Sequence, residues 1–218
     1  MKIRGGGLGV TKKEVIENVS GVLVAGGKSR RMGSDKRFLE LAGKRVFDRT
    51  LALLEVLFSE NFIVLAEPVP GLQCGTARIV YDRVPNAGSL GGLYTGLLTA
   101  THERSFAVAC DMPFLDPEVI RFMASFDPSA DVVVAEVKGQ LQPLHAMYSR
   151  RCTPFLRGMA DQQDLKIQHL FRDPSLRVSV VRSEDLEGVG SGVASFQNIN
   201  TPEDLARITR VSRLHHGG

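Results

Sequence analysis

The chain has few of the features that mark disulfide-stabilised, membrane-spanning or nucleic-acid-binding proteins. Its 218 residues include three cysteines, an odd number without the C-x-x-C spacing of a zinc site: Cys74, Cys110 and Cys152. We therefore expect no disulfide framework and a reducing, cytoplasmic location. No apolar run approaches the roughly 20 residues that cross a bilayer, and we expect neither a membrane span nor a signal peptide. The net charge of +3 is spread along the chain and argues against nucleic acid as a partner.

Apolar runs of strand length alternate with longer helical patterns along the whole chain. The predicted strands are 21–25, 62–66, 78–81, 106–110, 132–136, 144–148 and 178–181, and the predicted helices are 46–58, 92–101, 117–124 with Asp116 as N-cap, and one opening at Thr201. This alternation predicts an α/β fold: a single Rossmann-like domain, with a mainly parallel (mixed) sheet and helices on both faces. We expect the domain to span residues 20–213, between a flexible N-terminal extension (1–19) and a disordered tail (214–218).

The most informative segment follows the first predicted strand, where residues 24–36 are V-A-G-G-K-S-R-R-M-G-S-D-K. Within nine residues it carries four cations, which are Lys28, Arg30, Arg31 and Lys36, against the single acid Asp35. Glycine lets backbone N–H groups approach an oxyanion closely, and the cations neutralise its charge. A solvated basic turn is the alternative, but the position directly after a buried strand favours a phosphate-binding loop.

Two common phosphate-binding loops do not fit this segment. A P-loop needs a glycine five residues before Gly27, where the chain has Val22 inside the predicted strand. A dinucleotide-binding fingerprint needs one residue between its first two glycines, but Gly26 and Gly27 are adjacent. The loop of nucleotidyltransferases fits throughout.

The segment resembles the signature L-A-G-G-x-S-x-R-M-G-x-D-K of the molybdenum cofactor guanylyltransferases, with Val24 in place of the usual Leu. Further segments follow in that family's order: Asp82 after residues 78–81, G-S-L-G-G at 88–92, C-D-M-P at 110–113, Q-P-L at 142–144 and N-I-N-T-P-E-D-L at 198–205. The likeness covers roughly residues 20–210. The chain departs from the pattern at Leu65, where the family often has Asn, and so lacks one side-chain contact with the nucleoside.

The resemblance implies an enzyme that transfers GMP from GTP to molybdenum-bound molybdopterin and releases pyrophosphate. It implies Mg²⁺ as cofactor, and other molybdenum cofactor biosynthesis proteins and recipient molybdoenzymes as further partners. The implied nucleotide-binding residues are Val24, Ala25, Gly26, Gly27, Lys36, Asp82, Gly88, Gly92 and Asp111. The implied metal ligands are Asp111 and Asn200, and the implied catalytic residues are Lys36, Arg31 and Asp111.

Elementary chemistry supports several of these roles. Asp111 follows a buried apolar strand, and in parallel sheets ligands lie beyond the carboxyl ends of the strands. Asn200 would offer its amide oxygen to the metal, although Asn200 or Thr201 could instead cap the helix that opens at Pro202. Lys36 lies at the far end of the basic loop, from which it could fold back over a triphosphate.

Other functions remain open on the sequence alone. Cytidylyltransferases of the same class tend to carry A-A-G and D-Q-P, whereas this chain has A-G-G at 25–27 and D-M-P at 111–113, which favours guanine. Sugar-1-phosphate nucleotidyltransferases generally have longer insertions for their substrates. A nucleotide sensor without turnover would be expected to have lost Lys36 or Asp111, and both are present.

Overall fold

A computed structural model describes residues 15–26, 38–199 and positions 201, 204 and 208. The strands are β1 (Val19–Val24), β2 (Glu40–Leu41), β3 (Lys44–Arg45), β4 (Glu60–Leu65), β5 (Arg78–Tyr81), β6 (Arg104–Ala109), β7 (Val132–Val137), β8 (Gln140–Ser149) and β9 (Val178–Val181). The helices are α1 (Val46–Leu57), α2 (Gly88–Thr99), α3 (Pro117–Phe126) and α4 (Thr153–Asp161). Short 3₁₀ helices occupy Arg150–Cys152, Ile167–Arg172, Glu184–Leu186 and Gly192–Phe196.

Seven strands form one mixed sheet in the order β5-β4-β1-β6-β8-β7-β9, and β2 and β3 form a separate hairpin. Strand β8 runs antiparallel to both of its neighbours, and the other sheet pairings are parallel. From β1 the chain builds outward to β4 and β5, and then returns through α2 to place β6 on the other side of β1. The sheet therefore has a topological switch point between β1 and β6, where ligands bind in open α/β sheets.

The sheet has a separate hydrophobic core on each face. One core contains buried side chains of α1 and α3, including Phe47, Leu54 and Ile120. The other contains buried side chains of α2 and α4, including Leu93 and Leu156. This arrangement confirms the predicted α/β class with helices on both faces. Within the described residues, no helix combines the length and the apolar character needed to cross a bilayer.

Several predicted elements need correction. Helix α2 begins at Gly88, not at Gly92, and in its first turns Gly91 and Gly92 lie close to Asp82 and to Val24 of β1. The predicted strand 144–148 is the end of a longer strand, β8, which starts at Gln140. Helix α4 and the β2–β3 hairpin were not predicted. The predicted N-cap of α3 is confirmed, since Asp116 Oδ1 accepts a hydrogen bond from the Glu118 amide at 2.8 Å.

Candidate active site

The predicted site residues that the structure describes lie along one edge of the sheet, at the carboxyl ends of its parallel strands. Val24 is paired with Ala109, so Gly26 and Asp111 follow neighbouring strands at the switch point. Leu65 is paired with Tyr81, so Asp82 follows at the same edge. Strands β5 and β6 are separated by three strand spacings, which puts Asp82 about 14 Å from Asp111 along the sheet. A nucleotide lying along this edge can reach both acids.

The end of β1 is held closely against β4. The Ala25 amide donates to the Val64 carbonyl at 2.9 Å, and a Cβ at Gly26 would stand 3.0 Å from the Ala66 nitrogen. Glycine therefore lets the chain leave the sheet here, against the backbone that follows β4. The predicted site residues Gly27, Arg31 and Lys36, with the rest of the basic loop, lie outside the described residues.

Asp82 is half-buried, and its carboxylate is hydrogen-bonded to the loop that follows it and to the interior of α2. Its Oδ1 accepts from the Val84 amide at 2.9 Å and from the Thr95 hydroxyl at 3.2 Å. Burial raises the pKa of Asp82, and these two hydrogen bonds oppose that rise. A Cβ at Gly91 would stand 2.6 Å from Asp82 Oδ2, so the backbone of α2 passes close to this carboxylate. The carboxylate is thus already oriented, at the edge where a nucleotide would lie.

The two glycines predicted to bind nucleotide occupy different environments in α2. Gly88 is exposed at the first position of the helix, with a positive φ of 57° that favours glycine. Gly92 is buried inside the helix, where a Cβ would stand 2.7 Å from Val24 Cγ1. The absence of a side chain at Gly92 is therefore explained by packing on Val24, whose side chain is 5% exposed. A direct contact of either residue with nucleotide stays a prediction.

The C-terminal part of the chain returns to Asp111. The Ile199 amide donates to the Asp111 carbonyl at 2.9 Å. Asn200, the predicted second metal ligand, follows Ile199 in sequence and lies outside the described residues. The Thr201 hydroxyl accepts from the Asp204 amide at 3.1 Å, and the Thr201 amide donates to Asp204 Oδ2 at 3.2 Å. These are the hydrogen bonds of an N-cap, and the role of Asn200 as a metal ligand stays a prediction.

A small third hydrophobic cluster stabilises this corner of the molecule. It contains buried Leu39, Leu41, Val46, Ile199 and Ile208, and Phe114 packs against it. Leu39 and Leu41 come shortly after the basic loop, and Phe114 comes shortly after Asp111. The cluster therefore brings the segment that follows the basic loop, the segment after β6 and the C-terminal segment to one place.

Two residues near the site had no predicted role. His145, which lies next to the Q-P-L motif, is fully buried between Phe106, at 5.3 Å and edge-on, and Phe196, stacked at 4.1 Å. Burial lowers the pKa of His145 to about 3, and the Ser195 backbone opposes part of this shift. Neither ring nitrogen makes a hydrogen bond of ordinary geometry with the described residues. Asn198 has a buried Oδ1 that makes no hydrogen bond to the residues described. Only the N-I-N spacing of residues 198–200 could have drawn attention to it.

The comparison with protein families shows which family this chain belongs to. A model of the MobA-like NTP transferase domain matches residues 21–194. The chain belongs to this family. It is therefore a nucleotidyltransferase, and the resemblance deduced from the motifs is confirmed.

Individual relatives agree with the family match. A probable molybdenum cofactor guanylyltransferase from Pelotomaculum thermopropionicum is 35% identical over 188 residues, covering 86% of this chain and 90% of the relative. The molybdenum cofactor guanylyltransferase of Desulfosudis oleivorans is 35% identical over 194 residues, covering 88% and 95%. Among solved structures, molybdopterin-guanine dinucleotide biosynthesis protein A from Archaeoglobus fulgidus superposes with a TM-score of 0.77 at 24% identity, covering 89% of this chain and 99% of that one. This match confirms the nucleotidyltransferase-type fold.

Proposed function

We propose that this protein transfers GMP from GTP to molybdenum-bound molybdopterin, forming the guanine dinucleotide form of the cofactor and releasing pyrophosphate. In this reaction a phosphate oxygen of the pterin attacks the α-phosphorus of GTP, and the bond to the departing pyrophosphate breaks. The observation that carries the proposal is the convergence of Gly26, Asp82 and Asp111 on one sheet edge, at the switch point, in a chain of this family. The names of the relatives support guanine as the base and molybdopterin as the acceptor.

Different residues along the sheet edge would bind different parts of the nucleotide. The Asp82 carboxylate, oriented by Thr95 and Val84, would accept hydrogen bonds from the base or the ribose. The backbone around Gly26 and Gly27, with Lys36 and Arg31, would bind the phosphates. The protein needs to perform little covalent chemistry in such a transfer, and its main contributions are in-line positioning and charge stabilisation.

The residues present fit a magnesium ion. Asp111 supplies a carboxylate after β6, and the Ile199 amide donates to its backbone carbonyl; Asn200, which follows Ile199 in sequence, would supply an amide oxygen. Carboxylate and amide oxygens are hard donors, and Mg²⁺ is commonly held by few protein ligands together with substrate phosphates. A solved Mycobacterium tuberculosis structure of the same fold, at TM-score 0.63 and 16% identity, is a complex with manganese. When bound, the ion would neutralise charge on the α-phosphate and on the leaving pyrophosphate.

A cytoplasmic location belongs to the same proposal. No disulfide joins the three cysteines, all of which lie within the described residues, as is usual for proteins of a reducing compartment. Molybdenum cofactor biosynthesis proteins and recipient molybdoenzymes would then be the further partners.

The proposal is tested by measuring pyrophosphate release from the purified protein with Mg²⁺. We expect release with GTP only when molybdenum-loaded molybdopterin is added, and little release with CTP or ATP. An equal or faster reaction with CTP would assign the protein to cytidylyl transfer instead. Release from GTP without any pterin would indicate a hydrolase.

Asp111→Ala tests the metal site within the same assay. We expect it to abolish turnover while the melting temperature stays near that of the wild type, because the Ile199 contact uses the backbone of Asp111. Asp161→Asn is the matched control, since Asp161 is an exposed acid paired with Arg157 on α4. Near-normal activity of the Asp111 variant would mean that the metal is bound elsewhere.

A further inference from the structure

Asp116 joins two segments that reach the site from distant parts of the chain. As N-cap of α3, its Oδ1 accepts from the Glu118 amide. Its other oxygen, Oδ2, accepts from the Ser191 amide at 2.7 Å, and its own amide donates to Ser195 Oγ at 3.1 Å. Burial alone would raise the pKa of Asp116, but the hydrogen bonds from the Glu118 and Ser191 amides outweigh it and lower the pKa. One ionised side chain therefore serves both a helix and a remote loop.

The loop bound by Asp116 leads directly to the metal end of the site. A Cβ at Gly190 would stand 2.5 Å from Asp116 Oδ1, so the backbone of the loop lies against the carboxylate. Further along, Phe196 stacks on the buried ring of His145, and the Ile199 amide reaches the Asp111 carbonyl. The contacts to Asp116 are thus the first of a series that fixes this segment before it reaches Asp111.

We propose that Asp116 is a positioning residue for the metal-binding end of the site. It would act through Ser191 and Ser195 on the segment that carries Asn198 and Ile199 to Asp111. The inference rests on the proposed function, in which Asp111 holds the metal ion. Partners that orient a metal site typically change metal affinity or activity by about 10- to 100-fold when they are removed.

Asp116→Asn separates the two tasks of this side chain. Asparagine caps helices about as well as aspartate, so α3 keeps its N-cap. Its amide NH₂ would face the Ser191 N–H, however, and two donors cannot bond to each other. Ser195→Ala removes the other contact alone, and it decides the question if the Asp116 variant does not fold.

Asp127→Asn is the matched control. Asp127 lies at the opposite end of α3, beside Arg104 at the start of β6. Its carboxylate also binds a remote segment, accepting from the Ser179 hydroxyl at 2.6 Å and from Arg177 at 3.0 Å. The control therefore removes a similar long-range contact at the other edge of the sheet.

Two constants are measured. The first is the dissociation constant of Mn²⁺ without nucleotide, determined by electron paramagnetic resonance. The second is the Mn²⁺ concentration that gives half-maximal pyrophosphate release. We expect both constants to rise about 10- to 100-fold in Asp116→Asn, to rise less in Ser195→Ala, and to stay within about twofold of wild type in Asp127→Asn. Unchanged Mn²⁺ binding in both site variants, or an equal loss in the control, would overturn the inference. If the wild type binds Mn²⁺ but transfers no nucleotide, the proposed function fails, and the binding comparison still decides the role of Asp116.

Discussion

Gly92→Ala distinguishes a packing role for this glycine from a ligand-binding role. A Cβ at Gly92 would stand 2.7 Å from Val24 Cγ1, whereas carbon atoms in contact are normally about 3.5–4.0 Å apart. Overpacking of this kind costs about 1–3 kcal/mol, and the better helix propensity of alanine offsets about 1 kcal/mol of it. We therefore expect a variant that is up to about 2 kcal/mol less stable than the wild type.

Two further variants make the measurement specific. Gly158 lies inside α4, and a Cβ added there would meet no atom within 4 Å, so Gly158→Ala should stabilise the protein by about 0.5–1 kcal/mol through helix propensity alone. Val24→Ala removes the methyl group that Gly92→Ala would meet. The double variant Val24→Ala/Gly92→Ala should therefore be more stable than the sum of its single changes predicts, by about 0.5–3 kcal/mol.

The assay is thermal unfolding with and without GTP and Mg²⁺. For a chain of this length, 1 kcal/mol corresponds to a change of about 2–4 °C in melting temperature. Gly92→Ala should melt below the wild type and Gly158→Ala above it, and each should keep its stabilisation by GTP. If Gly92→Ala instead melts like Gly158→Ala and loses the shift with GTP, the glycine is there for the ligand and the packing argument is wrong.

Three other substitutions test the nucleotide site and the core. Lys36→Ala should lower kcat by about 10²–10³ with a much smaller effect on GTP binding, because its contact would strengthen as charge develops in the transition state. Lys44→Ala, at an exposed lysine of β3, is the control. An effect of Lys36→Ala on KM alone would contradict the catalytic role. Asp82→Asn keeps the acceptor for Thr95, so we expect a higher KM for GTP at an unchanged melting temperature. An unchanged KM for GTP would show that Asp82 does not bind the nucleotide. His145→Phe should reduce the acid sensitivity of folding: the histidine binds its proton more readily when unfolded, so stability falls as the pH drops from 6.5 towards about 3, by about 1.4 kcal/mol per pH unit. Equal pH slopes of the unfolding free energy in wild type and variant would refute this.

The sheet was predictable because its strands are continuous apolar runs between turn residues. Short or weakly apolar elements were missed. Helix α4 is amphipathic, but it has nine residues, is polar on average and contains Pro154 and Gly158, which have low helix propensity. The hairpin strands β2 and β3 have two residues each, too few for any periodicity. The start of β8 was hidden by Pro143, which lies near an irregularity in the pairing with β7.

The glycines of α2 misled the prediction in an instructive way. Gly88 and Gly92 were interpreted as flanking a turn, with the helix beginning at Gly92, and glycine is indeed unfavourable in helix interiors. In the structure the helix begins at Gly88, and Gly91, Gly92 and Gly96 approach Asp82, Val24 and Val22 more closely than a side chain would permit. Tertiary packing therefore overrides the local propensity, and no pattern within the helix itself reveals it.

The candidate site was predictable only where parallel strands determine it. Asp82 and Asp111 each follow a strand of the same direction, so their presence at one edge follows from the sheet. The return of Ile199 to Asp111 has no such local signal, because it depends on which edge a distant segment packs against. That packing is provided by the apolar cluster around Leu41 and by the contacts of Asp116.

Asp82 and Asp111, the two acids at the sheet edge, make their contacts through different groups. Asp82 uses its side chain and Asp111 its backbone carbonyl, and this difference affects how their variants should be interpreted. Asp82 is fixed through its carboxylate, so removing that group would change both the proposed contact with the nucleotide and the hydrogen bond from Thr95. Asp111 is connected to the C-terminal segment through its backbone carbonyl, and that contact survives any change of side chain. A loss of activity in Asp111→Ala at an unchanged melting temperature would therefore indicate a role in metal binding, whereas a loss in Asp116→Asn would indicate a role in positioning. If only the position of the C-terminal segment mattered, Asp111→Ala would retain the turnover that Asp116→Asn loses. Comparing the turnover of the two variants therefore decides between a role in metal binding and a role in positioning.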